Sequence, residues 1–113
     1  MPHPSAYIVV TLKFRKEGKK WVAFCEELGT STFAYSLKKA EERIKEAVML
    51  HLNTLEDVGE RERFFKENDI ILHQHKPKRN ELNMSPPFMP DTLSTPYIQP
   101  IYEALAQNNT LNY

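Results

Sequence analysis

One cysteine, four histidines and two adjacent glutamates are the residues of this chain best suited to chemistry. Cys25 would be a nucleophile only as a thiolate, which needs a neighbouring base, and a histidine on another element is the group able to supply one. Its neighbours Trp21, Val22, Ala23 and Phe24 are apolar, however, and a lone cysteine on an apolar face behaves as a small core residue. His51 lies inside the apolar stripe of a predicted helix, which places it at the core edge with one hydrogen-bonded partner. His73 and His75 are two apart, so a strand would set both on one face, as the first two ligands of a metal site would be; no third ligand follows at a recognised spacing. Glu26 and Glu27 would point to opposite faces of a regular strand and so would not form the paired carboxylates that two-metal hydrolysis needs. The remaining acids are scattered over helix surfaces. The expectation is therefore no catalytic residue, no metal site, no cofactor and no enzymatic activity.

Charge and composition narrow the partners. With 113 residues the chain has room for one modest core, and 41% hydrophobic against 27% charged residues is ordinary globular usage. Fifteen basic and fifteen acidic side chains cancel, so nucleic acid would have to be met by a local patch. Two local groups exist. Lys13, Arg15, Lys16, Lys19 and Lys20 surround a predicted hairpin and read as a solvated turn; Lys76, Lys78 and Arg79 follow the last predicted strand and are the candidates for phosphate contacts. No basic-then-apolar leader opens the sequence, no run approaches the ~20 apolar residues of a membrane span, and a single cysteine cannot form an internal disulfide. A soluble protein of the reducing cytoplasm is expected.

The elements that must carry these residues follow from periodicity. Ile8, Val10, Leu12 and Phe14 stand at alternate positions, with Thr11 and Lys13 between them, predicting a half-buried strand over 7–14. The polar group at 15–19, with Gly18, predicts the turn, and from 21 to 28 both alternating sets are largely apolar, predicting a central strand covered on both faces. Residues 30–35 supply a third, β-branched and aromatic strand after Gly29. Ser36 is a predicted N-cap, Gly59 a predicted left-handed stop, and between them Leu37, Ala40, Ile44, Ala47, Val48, His51, Leu55 and Val58 form one helical stripe. A short helix over 60–68 and a brief strand over 70–73 complete the order. The reading is an α+β fold: an antiparallel sheet of three to four strands packed on one long and one short helix. Residues 1–75 form this domain. Residues 76–113 read as a proline-rich tail with a short helix near 101–107, because six of the eight prolines fall between Pro77 and Pro100. Met49 and Leu50, off the main stripe, and Phe88, Tyr97, Ile98 and Tyr102 in the tail are candidate contacts to an oligomer or partner.

Residues 7–73 resemble the HicB-like antitoxin family. The resemblance rests on four segments in order: Tyr7-Ile8-Val9-Val10 before a hairpin; the stretch 21–32 with its Leu28-Gly29 loop and threonine-rich third strand; the helix start Ser36-Leu37-Lys38-Lys39-Ala40; and Glu46-Ala47-Val48 leading to Leu52 and Gly59-Glu60-Arg61-Glu62. The resemblance implies a partial ribonuclease-H-like fold, assembly as dimers or tetramers, and a HicA-like, messenger-RNA-cleaving toxin as the protein partner that is bound and blocked. Many members carry a C-terminal DNA-binding module; none is visible after His73, so operator binding is not expected. A stand-alone regulatory or assembly domain of the same fold, or a nucleic-acid-binding regulator, is the alternative.

Overall fold

The computed structural model describes residues 4–78 and 92–102. Four strands, β1 (Ala6–Glu17), β2 (Lys20–Cys25), β3 (Thr30–Ala34) and β4 (Thr92–Ile101), form one antiparallel sheet in the order β3-β2-β1-β4, and two helices, α1 (Leu37–Asp57) and α2 (Arg61–Glu67), separate β3 from β4. The α+β class, the antiparallel sheet and the long and short helices are as expected from the sequence.

Alternation in β1 sets the core. Ala6, Ile8, Val10, Leu12 and Phe14 are buried on one face, beneath the buried stripe Ala40, Ile44, Val48 and Leu52 of α1. The β1–β2 connection is tighter than the polar residues suggested. Gly18, at φ 63°, and Lys19 make the whole turn, closed by the Glu17–Lys20 pair, so Arg15 to Glu17 are strand. A two-residue hairpin turn with a positive φ matches the twist of its strands, which can therefore continue through polar residues.

Two expectations about faces are corrected. The second strand is not covered on both sides: Ala23 and Cys25 are buried and Trp21 packs on the core, but Phe24 is 38% exposed on the opposite face. One helical layer can cover only one side of a sheet. Leu28 does not share that outer face with Val22 and Phe24; β2 ends at Cys25, and the turn brings Leu28 into the core. In α1, Ser36 caps as predicted, its Oγ accepting the Lys39 N–H at 3.1 Å. Gly59 takes φ 73°, while Val58, placed in the stripe by spacing, is the exposed C-cap, and Leu52 is the stripe's last fully buried residue.

The last strand is the largest correction. Residues 70–73 contribute Ile70 to the core and only one bridge, in which Tyr7 and His73 exchange backbone hydrogen bonds of 2.9 and 2.8 Å. The fourth strand is β4, ten residues from the segment read as tail, paired with β1 from Ala6–Ile101 to Arg15–Thr92. Ile101, expected in a short helix, ends it. Parity explains how a strand tolerates Pro96 and Pro100. Tyr7 and Thr11 donate their amides away from β4, to His73 and to Glu27, so their opposite residues Pro100 and Pro96 stand in non-hydrogen-bonded pairs with nitrogens facing the free edge. Those prolines also remove donors from that edge, which discourages pairing with another chain. Gln99 is the polar residue buried beside Ile101; its amide nitrogen donates to the Pro100 carbonyl at 2.9 Å.

Candidate interaction surfaces

The groups singled out for chemistry are dispersed by the fold. Cys25 is fully buried opposite Leu12. Burial pushes its thiol from 9.0 up to about 11, reinforced by the Glu27 and Glu26 carboxylates and partly offset by hydrogen bonds from the Leu28 and Glu27 backbone. A neutral, enclosed thiol is a poor nucleophile. The two glutamates do diverge, though from a turn and not from a strand. Glu27 accepts the Thr11 N–H at 2.7 Å and the Thr11 hydroxyl at 2.9 Å, closing the edge of β1 beyond the end of β2; Glu26 pairs with Lys13 at 2.9 Å. His51 sits at the core edge, as expected, with Nδ1 2.8 Å from the Thr30 hydroxyl and its ring 5.6 Å from that of Phe64. His73 is held through its backbone and His75 is exposed. Among the described residues no group of three or more histidines, cysteines and acids could hold a metal, and no helix is long and apolar enough to cross a membrane.

Three surfaces remain. The first is a groove of about 290 Å³ between α1 and β4, where Leu12, Thr95 and Tyr97 meet Glu41, Lys45 and Lys76. It exists because α1 lies over β3 and β2 and leaves β4 largely uncovered. The Lys45 ammonium lies 5.0 Å above the Tyr97 ring and 3.4 Å from Glu41, and burial raises the Tyr97 pKa. Tyr97, expected at a partner contact, is thus engaged by its own chain. Ile98 is half-buried on the opposite face of β4, Tyr102 is exposed, and Lys76 and Lys78 are exposed; Phe88 and Arg79 lie outside the described residues.

The second surface is the outer side of α1. Met49 and Leu50, picked out as off-stripe, are 49% and 60% exposed. From Glu46 to Asp57 the helix carries three acids and no lysine or arginine.

The third is the open face of the sheet, which the sequence reading missed. Phe24 on β2 and Phe33 on β3, the latter 43% exposed, stand on it with Val22, and Tyr35 meets Phe33 edge-on at 5.9 Å. The Lys13 ammonium lies 6.0 Å from the Phe24 centroid and the Lys20 ammonium 5.0 Å from that of Phe33. Arg15 is opposite Val22 on the same face. The signal was present: a strand apolar on both faces, in a chain with one long helix, must leave one face uncovered. Comparisons with protein-family models, with curated proteins and with solved structures each found no match.

Proposed function

We propose that this protein is an antitoxin-like inhibitor of a partial ribonuclease-H-like fold, which binds a small, messenger-RNA-cleaving, HicA-like protein and silences it by covering its RNA-binding surface. The observation that carries this reading is the outer side of α1. An RNA-binding surface is cationic, and the exposed acids Glu46 and Asp57 with two exposed apolar side chains, Met49 and Leu50, offer the complementary charge and two anchors, while Glu56 is held by Arg61 at 3.4 Å. The four ordered segments of family resemblance support the same reading. So does the enclosed, neutral Cys25, since this chain would act by occlusion and not by a reaction of its own.

Coexpression with the neighbouring small reading frame tests it. The expected result is a stable complex and restored growth, with Leu50→Arg weakening the complex at least about ten-fold while the fold survives. No complex and no rescue would overturn the reading. It also carries assembly as a dimer or tetramer, and light scattering that returned the mass of one chain at micromolar concentration would remove that part.

A further inference from the structure

The open face of the sheet has a composition that the inhibitor reading does not use. Between residues 13 and 20 the chain places five cationic side chains against one acid. Lys13, Arg15 and Lys20 belong to the open face by register, since Lys13 is opposite Phe24, Arg15 opposite Val22, and Lys20 opposite Glu17 at the hairpin end. Across β2 and β3, Phe24 faces Ser31 and Val22 faces Phe33, which makes the two phenylalanines diagonal neighbours on one surface. Diagonal positions lie roughly 7 Å apart, within reach of successive flat groups of an extended ligand. Tyr35, 75% exposed, continues the aromatic row past Phe33.

Phe24 and Phe33, each with a lysine ammonium 5.0 to 6.0 Å from its ring centroid, match a polymer that alternates flat groups with anions. On the face itself Lys13, Arg15 and Lys20 outnumber Glu17 and the Lys13 partner Glu26 by one, so a second copy of this face would bring like charge against itself. Pairing with a further strand is also disfavoured at either edge, because Pro96 and Pro100 blunt β4 and Arg43 already donates to the Phe33 carbonyl of β3 at 3.0 Å. The ion pairs of Lys13 with Glu26 and of Arg15 with Glu17 are solvent-exposed on at least one side, and such pairs are held weakly enough for a phosphate to displace the carboxylate.

We propose that the open sheet face is a platform for single-stranded nucleic acid: bases stack on Phe24, Phe33 and Tyr35, and Lys13, Arg15 and Lys20 receive the phosphates. A duplex keeps its base faces stacked inside and cannot use the rings, so single strands are selected by shape and not by sequence. The site is independent of the acidic helix side argued above to meet a protein.

Fluorescence anisotropy of a labelled oligouridylate of about ten nucleotides, titrated with the full-length protein, tests this. The expected result is binding that weakens steeply with salt, falls at least about ten-fold in Phe33→Ala and in Phe24→Ala, and survives in Phe33→Tyr. Lys20→Ala should lower the slope of log affinity against log salt by about one. Asn53→Ala, at an exposed position of α1, should leave the oligonucleotide affinity unchanged. Circular dichroism melts of each variant separate lost binding from lost folding, and Phe33→Tyr retains the ring should Phe24→Ala fail to fold. Three outcomes would overturn the proposal: no binding by the wild type at low salt, equal affinity for a duplex of the same length, or a dimer that Phe33→Ala converts to monomer.

Discussion

Burial decides what Cys25 can do before any neighbour acts on it. With its thiol raised to about 11, the side chain stays protonated through the whole physiological range, and the folded chain should react with Ellman's reagent near pH 8 only after denaturant opens it. The same shift has a consequence for stability. In the unfolded chain the thiol returns to its ordinary 9.0, so above that pH the unfolded state sheds a proton that the folded state keeps. The contribution is complete below pH 9 and is lost as pH rises toward about 11; urea midpoints should fall across that window, and fall less in Cys25→Ala. Rapid labelling of the native protein would contradict the buried position itself. At this scale the sequence was informative where one neighbour is enough. An apolar run around Cys25 and a helical stripe through His51 foretold a core thiol and a core-edge imidazole. Phe24 was misplaced because its exposure depends on how many layers the fold has, which no local window records.

Helix α1 was legible because its signals are local. A hydroxyl at 36, an apolar period of three and four, and a glycine at 59 each act within one turn, and each is found in place. Ser36→Ala should therefore destabilise the protein by about 1 kcal/mol, the usual loss for a hydroxyl that accepts a first-turn amide. The first turn carries Lys38 and Lys39 and no acid, an arrangement the helix dipole opposes, so Lys38→Glu should recover a few tenths of a kcal/mol. Equilibrium unfolding of the two single variants and the double variant would check both; a Ser36→Ala protein as stable as the wild type would mean that packing of α1 on the sheet, and not its cap, fixes where the helix begins. Strand β4 was illegible for the opposite reason. Its prolines are breakers in any local reading, and they are admissible only because Tyr7 and Thr11, some ninety residues away in sequence, turn their amides elsewhere. Residues 70–73 were equally misleading, since their apolar run serves the core through Ile70 and pairs with β1 at a single residue.

A net charge of zero conceals an electrically polar molecule. The hairpin end holds Lys13, Arg15, Lys16, Lys19 and Lys20, and α1 starts at that end because β3 runs back along β2 to pair Ala34 with Trp21. The helix then crosses toward Thr30, which meets His51, so its acidic second half lies at the opposite end. Along α1, Glu46 stands nine residues and about 14 Å beyond the helix start at Leu37, and Asp57 about 30 Å beyond it, both farther than the roughly 8–10 Å over which charges act in physiological salt. The two poles should therefore behave as separate instruments. Glu46→Lys should slow association with a basic protein partner and leave oligonucleotide affinity unchanged; Lys20→Glu should do the reverse; and the double variant should show the sum of the two effects within about 0.5 kcal/mol. Association rates by stopped flow at two ionic strengths, read beside anisotropy titrations of the same four proteins, would decide the matter. If Glu46→Lys altered oligonucleotide binding as much as Lys20→Glu did, the ligand would be sensing whole-molecule charge, and neither the acidic helix side nor the aromatic sheet face could be a site in its own right.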